Sequence, residues 1–309
     1  MRLPSALFVL AMTAACSAFS QPASLPERLG YPKGTKLLIV HADDLGVAHS
    51  ENKASTAAFD RGMVNSASIM VPTPWFAEIA SYARANPKAD LGLHLTLTSE
   101  WKYYKWGPVS GRQKGLQNAQ GYMFESVDSV YMSASLTEVE TELRGQISKA
   151  QNAGIDITHL DSHMGTLFGR PDYLKLMITL GRELKVPVML FKNGPGSVSF
   201  HKLESFLASN DIVADTVVTA NPDNFRKGMA EYYSSVLNAL KPGLTVLLIH
   251  TAYDDEEMQA ITVDHPDWGA TWRQADYNFF TSDRCKSILQ QQKIQLVTWR
   301  EIRDKLSRK

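Results

Sequence analysis

The chain has 309 residues, of which 44% are hydrophobic and 21% are charged, a composition typical of a soluble globular protein. Lys and Arg together number 32, as do Asp and Glu, so the formal net charge is zero. This balance provides neither a basic excess for nucleic acid nor an acidic tail, and it favours a neutral substrate. The length fits one large α/β domain or two smaller ones.

The N-terminus has the pattern of a cleavable secretory signal peptide. Arg2 precedes an apolar stretch over residues 3–15, and small residues follow it. The apolar stretch is too short to span a bilayer. We expect residues 1–20 to be removed, residues 21–35 to form a lead-in, and the protein to be exported, periplasmic or secreted. An N-terminal anchor and a lipoprotein attached through Cys16 are the alternatives.

From residue 36 onward, short β-branched runs alternate with longer amphipathic runs. The short runs predict strands at 36–43, 66–71, 90–97, 156–162, 187–191, 212–219, 244–250 and 294–299. The longer runs predict helices at 50–61, 74–86, 136–152, 171–184, 200–209, 222–240 and 271–292. This alternation predicts one parallel α/β domain over residues 36–309, which is either a closed (β/α) barrel or an open doubly wound sheet.

Residues 98–135 interrupt the alternation. The segment is too long and polar for an ordinary connection between a strand and a helix, so we expect an elaborated loop. It carries the aromatic residues Trp101, Tyr103, Tyr104 and Trp106. These rings, with Trp101 and Trp106 as the candidate contacts, either stack on the apolar faces of a sugar or pack against the barrel.

Polar side chains lie at the ends of four predicted strands. They are Asp43 and Asp44 in the first strand, His94 in the third, His159, Asp161 and His163 in the fourth, and His250 in the seventh. The C-terminal ends of all strands of a barrel face one mouth, whereas in an open sheet only strands near a switch point converge. Clusters on four different strands therefore favour the barrel.

Histidine and carboxylate side chains on rigid strands are typical ligands of Zn²⁺ or a similar divalent ion. Side chains alternate along a strand, so we expect Asp43 and Asp44 to point to opposite sides, one as a ligand and one as a base. His159, Asp161 and His163 share a side, where one histidine can bind a metal and Asp161 can orient a neighbour. A single strand histidine is commonly a core residue, but the clusters together favour a metal site.

Motifs spread along the chain resemble the YdjC-like family of carbohydrate deacetylases, which includes chitooligosaccharide deacetylases. They are VHADDLG at 40–46, RGMVNSASIMV at 61–71, LGLHLTLT at 91–98, THLDSH at 158–163, IHTAYDD at 249–255 and WRQADYNFFTSD at 272–283. The resemblance covers most of residues 36–300 in the right order. It implies a single (β/α) barrel, distorted and with seven or eight strands, that removes acetyl groups from N-acetylated sugars or oligosaccharides.

The resemblance also implies a role for each matching residue. Asp44, His94 and His163 would hold one divalent metal ion, Zn or Mg, with Zn²⁺ favoured because Mg²⁺ is less suited to histidine ligands. Asp43 would be the base that activates metal-bound water, and His250 would be the acid for the leaving amine.

Further residues are candidates for substrate binding or for support of the site. His159 and Asp161 belong to the strand-end clusters, and the resemblance alone adds Asn52, Arg273 and Asp276.

Three features depart from the family pattern. His41 stands where the family usually has Asn, and it adds a titratable group near the site. Residues 164–166 read Met-Gly-Thr where the family often has further histidines, and Thr251 follows His250 in place of a proline. These departures bear on the substrate contacts and on the acid, and export is unlike the cytoplasmic members of the family.

Two other functions are consistent with the sequence. One is a metal-dependent ester or phosphoester hydrolase on the same barrel. The other is a non-catalytic exported carbohydrate-binding protein, which would bind sugar without releasing acetate. In each case we expect no nucleic-acid partner and no membrane span, and the sequence does not predict an oligomeric state.

Overall fold

Short apolar segments form a parallel sheet in the computed structural model, which describes residues 23–194 and 204–308. The strands are β1 (Lys36–Leu45), β2 (Ser66–Ile69), β3 (Leu91–Leu95), β4 (Leu160–Ser162), β5 (Leu190–Asn193), β6 (Val213–Thr219), β7 (Gly243–Ile249) and β8 (Gln295–Leu296). The predicted signal peptide at residues 1–20 lies outside the described residues.

Helices connect and surround these strands. They are α1 (Leu25–Arg28), α2 (His49–Arg61), α3 (Phe76–Ala85), α4 (Val127–Ser133), α5 (Leu136–Asn152), α6 (Pro171–Leu184), α7 (Pro222–Lys227), α8 (Met229–Ala239), α9 (Glu256–Ile261), α10 (Ala270–Phe280), α11 (Asp283–Gln291) and α12 (Trp299–Ile302). Among the helices of residues 23–194 and 204–308, none combines the length and apolar character needed to cross a membrane.

The strands run in the order β4-β3-β2-β1-β7-β6-β5, with β8 beside β1, and every pairing is parallel. A bridge between Leu160 of β4 and Val188, which precedes β5, joins the two outer strands. The sheet therefore curves into a barrel that is weakly paired along this one seam. The predicted distorted (β/α) barrel with seven or eight strands is confirmed, and the open doubly wound sheet is wrong.

Strand β1 lies at the centre of the sheet and is buried from Leu37 onward. Leu37 and Ile39 belong to an apolar cluster with residues of β6, β7 and the C-terminal segment, whereas Val40 belongs to the cluster that the surrounding helices share. Because side chains alternate along a strand, the row of Leu37 and Ile39 continues to His41 and Asp43. The polar end of β1 thus follows directly on an apolar interior.

Two predicted helices are each interrupted. The helix predicted at 222–240 divides at Gly228, whose φ of 109° and ψ of 114° leave the helical region. The helix predicted at 271–292 divides before Ser282, whose side chain accepts a hydrogen bond from the backbone N of Cys285 and so begins α11. Both breaks occur at residues that favour helix ends.

The last predicted strand, 294–299, is shorter than expected. Only Gln295–Leu296 pairs with β1, because Thr298 caps α12 by accepting a hydrogen bond from the backbone N of Glu301. The helix predicted at 200–209 falls partly outside the described residues, and within it residues 204–206 form a 3₁₀ turn.

The insertion at residues 98–135 follows the C-terminal end of β3 and packs on itself there. The backbone N of Ser99 donates to the carbonyl oxygen of Phe124 at 2.8 Å, and the backbone N of Met123 donates to that of Trp106 at 2.9 Å. Helix α4 lies near the end of the insertion. The elaborated loop that the sequence predicts is therefore a folded unit attached to the end of β3.

Candidate metal centre and active site

A β-bulge at the end of β1 positions the two aspartates. Ala42 and Leu45 are three positions apart, but their partners on β2 are two positions apart, so β1 carries one extra residue. Asp44 accommodates it with a φ of 69°, a left-handed conformation that is uncommon outside glycine. Nδ1 of His94 consequently lies 3.9 Å from Asp43 Oδ1, and its Nε2 lies 3.3 Å from Asp44 Oδ1. The expectation that the two aspartates point to opposite sides is wrong, because the bulge breaks the alternation.

Asp44, His94 and His163 form a buried cluster contributed by the ends of three strands. Their candidate ligand atoms all lie within 4.8 Å of one another. Asp44 Oδ1 lies 3.3 Å from Nε2 of His94 and 3.3 Å from Nδ1 of His163. Neither contact has hydrogen-bond geometry, and Oδ1 has no hydrogen-bond partner among the described residues. A buried carboxylate oxygen left unpaired between two histidine nitrogens fits a divalent cation.

A second carboxylate stands behind each of these histidines. Asp161 Oδ1 lies 2.6 Å from Nδ1 of His94, and Glu100 Oε2 lies 3.0 Å from Nε2 of His163. The other ring nitrogen of each histidine, Nε2 of His94 and Nδ1 of His163, faces Asp44. Metal-binding histidines commonly donate their other ring N–H to a carboxylate in this way, which fixes the ring and its tautomer. The residues present therefore fit the ligand set that the sequence predicts.

The electrostatics of the cluster agree with cation binding. Burial disfavours the charged ring of His163, but the charges of Glu100 and Asp44 outweigh it and raise its pKa to about 9. In the same way, Asp161 and Asp43 raise the pKa of His94 well above its usual value against the effect of burial. The site thus favours positive charge, which in the absence of a metal means protons on His94 and His163. Because a metal must replace these protons, its affinity is expected to fall at low pH.

Arg273 anchors Asp44 from below. Its Nη2 donates to Asp44 Oδ2 at 2.7 Å, and its Nη1 donates to both carboxylate oxygens of Glu51 at 2.7 and 2.8 Å. All three side chains are buried. Despite burial, the Arg273 charge and the facing histidines hold the pKa of Asp44 well below its usual range. Burial raises the pKa of Glu51 well above its usual range, even beside this cation.

Asp43 lies beside the cluster with its two oxygens in different surroundings. Oδ1 lies 3.1 Å from Nε2 of His41 and accepts a hydrogen bond from Ser68 Oγ at 3.3 Å. Oδ2 lies 3.9 Å from Nε2 of His250. That same nitrogen of His250 lies 3.8 Å from Asp44 Oδ2. The four clusters that the sequence places at strand ends thus meet at one point, although His159 of the fourth strand lies deeper.

Asp276 supports His250 through the backbone. Its Oδ2 accepts from the backbone N of His250 at 2.9 Å, and its Oδ1 accepts from the hydroxyl of Tyr233 at 2.7 Å. Burial raises the pKa of Asp276 to about 7 and lowers that of the His250 ring to about 4. His250 is therefore a neutral imidazole at neutral pH.

Comparison with known proteins identifies the family. The sequence model of the YdjC-like proteins matches residues 37–291, most of the chain. The chain belongs to the YdjC-like family. A carbohydrate deacetylase of Thermus thermophilus is 31% identical over 288 residues, covering 91% of this chain and 99% of that protein. A carbohydrate deacetylase of Brevibacillus brevis is 29% identical over 273 residues, covering 86% and 99%.

A solved structure shares the fold. A protein of Enterococcus faecalis V583 named for cellobiose-phosphate cleavage superposes with a TM-score of 0.72 at 21% identity. The match covers 86% of this YdjC-like chain and 98% of that chain. At this identity the likeness concerns the fold alone.

Two supporting residues predicted from the sequence lie away from the mouth of this YdjC-like barrel. His159 is fully buried, with its ring 4.9 Å from that of His41 and 5.5 Å from that of Trp299. It lies in the interior and makes no surface for substrate. Asn52 accepts from the backbone N of Gly46 at 2.7 Å and donates to Glu78 at 2.8 Å, so it braces the turn after β1.

The candidate substrate contacts Trp101 and Trp106 are buried, with 2% and 4% of their surface exposed. Their rings lie 5.7 Å apart in an edge-to-face arrangement, within an apolar cluster that includes Met70 and Met258. Stacking on a sugar requires an accessible ring face, so the burial of these two tryptophans favours the second alternative, packing against the barrel. They pack the insertion against the barrel, and Tyr103 is the exposed ring of this group.

Sequence reasoning missed two residues of the site, Glu100 and Glu51, and gave a third, His41, no role. Glu100, which holds His163, lies two residues after the motif LGLHLTLT at 91–98, and that position is a usable signal. Glu51 lies in the first turn of α2, where an acidic residue usually indicates an exposed helix start. His41 was noted only as a departure from the family pattern, although its place two residues before Asp43 gives it the same inward direction.

Proposed function

We propose that the protein is a metal-dependent deacetylase of N-acetylated sugars or oligosaccharides. The observation that carries the proposal is the unpaired, buried Oδ1 of Asp44 between the nitrogens of His94 and His163, with Asp43 and His250 beside it. Membership of the YdjC-like family and two relatives named carbohydrate deacetylase support the choice of reaction.

Asp44, His94 and His163 are the residues that would hold the metal. A divalent cation supplies two kinds of chemistry when bound, polarisation of a carbonyl group and a lowered pKa of water. Two imidazoles and one carboxylate are a donor set that suits Zn²⁺ better than Mg²⁺, which prefers oxygen ligands. We therefore propose Zn²⁺.

Asp43 is the proposed general base. Its Oδ1 is engaged by His41 and Ser68, whereas its Oδ2 faces His250 across 3.9 Å. Oδ2 is therefore the oxygen that can take a proton from the attacking water. The water oxygen then bonds to the acetyl carbon, and this carboxylate needs no movement because its other oxygen is already held.

His250 is the proposed donor to the leaving amine, and burial makes it dependent on Asp43. A ring with a pKa of about 4 carries no extra proton at neutral pH, so it must first receive one. Asp43 Oδ2 faces His250 Nε2 across 3.9 Å and would supply it through one bridging water. The proton lost by water thus passes through these two residues to the nitrogen as the C–N bond breaks, and acetate and an amine are released.

The test is acetate release from a panel of substrates by the purified protein loaded with zinc. We expect N-acetylated sugars or oligosaccharides to yield acetate and free amine in equal amounts, with loss of activity in chelator and recovery on adding zinc. Turnover of aryl acetates or phosphoesters but not of sugar amides would identify a different metal hydrolase. Saturable sugar binding without product would identify a carbohydrate-binding protein.

We also propose that the protein is exported after cleavage of residues 1–20. The charged start and short apolar stretch of this segment support the proposal. N-terminal sequencing of the protein from a cell-envelope fraction should find Gln21 as the first residue. A chain that starts at Met1 in the cytoplasmic fraction would contradict it.

A further inference from the structure

His41 is a fully buried histidine with no part in the proposed reaction as described so far. Its Nε2 lies 2.9 Å from Asp161 Oδ2 and 3.1 Å from Asp43 Oδ1. Its Nδ1 lies 2.8 Å from Ser66 Oγ. The ring thus joins the inner end of the site to β2 and β4.

The chemistry of these partners determines where His41 carries a hydrogen. Nε2 faces two carboxylate groups, which accept hydrogen bonds when ionised, so Nε2 must be the N–H nitrogen. Ser66 can donate or accept and therefore satisfies Nδ1 in either state. The N–H is shared between Asp161 Oδ2 and Ser68 Oγ, which lies 3.1 Å from the same nitrogen, whereas Asp43 Oδ1 is an ion-pair contact that accepts its hydrogen bond from Ser68.

The two carboxylates beside this nitrogen have different tasks in the proposed site. Asp43 is the proposed base, and Asp161 holds Nδ1 of His94, a proposed metal ligand, at 2.6 Å. The ring of His41 therefore lies between Asp43, the base, and Asp161, which holds His94, and it fixes the distance between these two carboxylates. Both of its nitrogens are already engaged, so we assign it no metal of its own.

We propose that His41 is a positioning residue, whose Nε2–H holds Asp43 in line with the metal ligands through Ser68 and through its own ion-pair contact with Asp43. This inference rests on the proposed deacetylation. A hydrogen bond to a charged group is worth enough that its loss lowers turnover by about 10- to 100-fold. Since His41 does not face the mouth, the substrate KM should stay within about threefold, because only turnover depends on the base.

Two substitutions of His41 separate this role from a general packing role. The amide nitrogen of glutamine reaches about as far as Nε2 of histidine, whereas that of asparagine reaches only about as far as Nδ1. His41→Gln therefore keeps a donor for Asp161 and Ser68, and His41→Asn loses it. Both replacements are polar and uncharged, and thermal unfolding of each shows whether it is folded.

The expected result is a kcat at least about tenfold lower for His41→Asn and within about threefold of the parent for His41→Gln, with one zinc per chain in both. The inference is overturned if the two variants are equally active, or if His41→Asn loses zinc and activity together. If His41→Asn does not fold, His41→Gln still decides: a folded, zinc-loaded His41→Gln with turnover more than about tenfold below the parent contradicts the inference.

A second measurement does not depend on turnover. In the proton NMR spectrum, the Nε2–H of His41 should appear as a downfield, slowly exchanging signal that is absent from His41→Gln. Absence of this signal from the parent protein would overturn the shared hydrogen bond, whether or not acetate is released. If the signal is present and the parent releases no acetate from any N-acetylated sugar, the proposed function fails and the contact between His41 and the carboxylates stands.

Discussion

Replacing Arg273 by Gln removes the buried cation that anchors the site. Arg273 is 2% exposed, and it bonds Asp44 at 2.7 Å and Glu51 at 2.7 and 2.8 Å. Since burial already raises the pKa of Glu51, Asp44 is the group that loses its counter-charge. Glutamine fills part of the space and retains hydrogen-bonding groups, so the change is mainly one of charge.

The expected cost follows from the burial of the pair. Removing one partner of a buried ion pair destabilises a protein by about 3–5 kcal/mol, because the other charge stays buried without compensation. The pKa of Asp44 rises in the folded variant, because only the facing histidines then oppose the effect of burial. The stability difference from the parent should therefore narrow as the pH falls and widen as the pH rises through that raised pKa.

The assay is urea unfolding of metal-free protein, because a bound cation would itself compensate Asp44. Arg284 offers a matched control: it makes a two-pronged pair with Glu231 at 2.7 and 2.9 Å, but the two side chains are 46% and 73% exposed. We expect no measurable change for Arg284→Gln. If Arg273→Gln were as stable as Arg284→Gln, the buried pair would not anchor the site.

Three further predictions follow from the site and the core. Asp43→Asn should lower kcat by about 10²–10⁴-fold while the zinc content stays unchanged, measured by acetate release and metal analysis; full activity would remove Asp43 as the base. Glu100→Gln should weaken zinc binding by about 10- to 100-fold in a competition titration, whereas His94→Ala should lose the metal; wild-type affinity in Glu100→Gln would show that His163 needs no support. Burial raises the pKa of the Cys285 thiol to about 12, so a thiol reagent at pH 8 should label Cys285 only after unfolding, and rapid labelling of Cys285 in the folded protein would contradict that burial.

The barrel could be predicted because its strands are marked by their residues. The run from Leu37 to Val40 is apolar on both faces, as expected of a strand that lies between the interior and the helices. Histidines and carboxylates at the ends of such strands indicated one mouth, and Asp43, His94 and His250 do meet there. These signals are local, and a parallel barrel brings its strand ends together whatever the details of its loops.

What could not be predicted depends on contacts between distant segments. The left-handed conformation of Asp44 follows from a pairing shift with β2, and no residue type marks it, since glycine is the usual signal. Glu51 is buried against Arg273, which lies 222 positions further along the chain, so no local pattern marks the pair. Trp101 is a residue type that commonly stacks on sugars, and only the folded insertion shows that its ring is covered.

The account depends most on a metal held by Asp44, His94 and His163 that is required for deacetylation. The direct measurement is a zinc titration of chelator-stripped protein, with acetate release from an N-acetylated oligosaccharide followed in the same samples. We expect activity to rise in proportion to bound zinc and to stop rising at one equivalent per chain. Full activity in the stripped protein, or one bound zinc with no acetate released from any N-acetylated sugar, would contradict it.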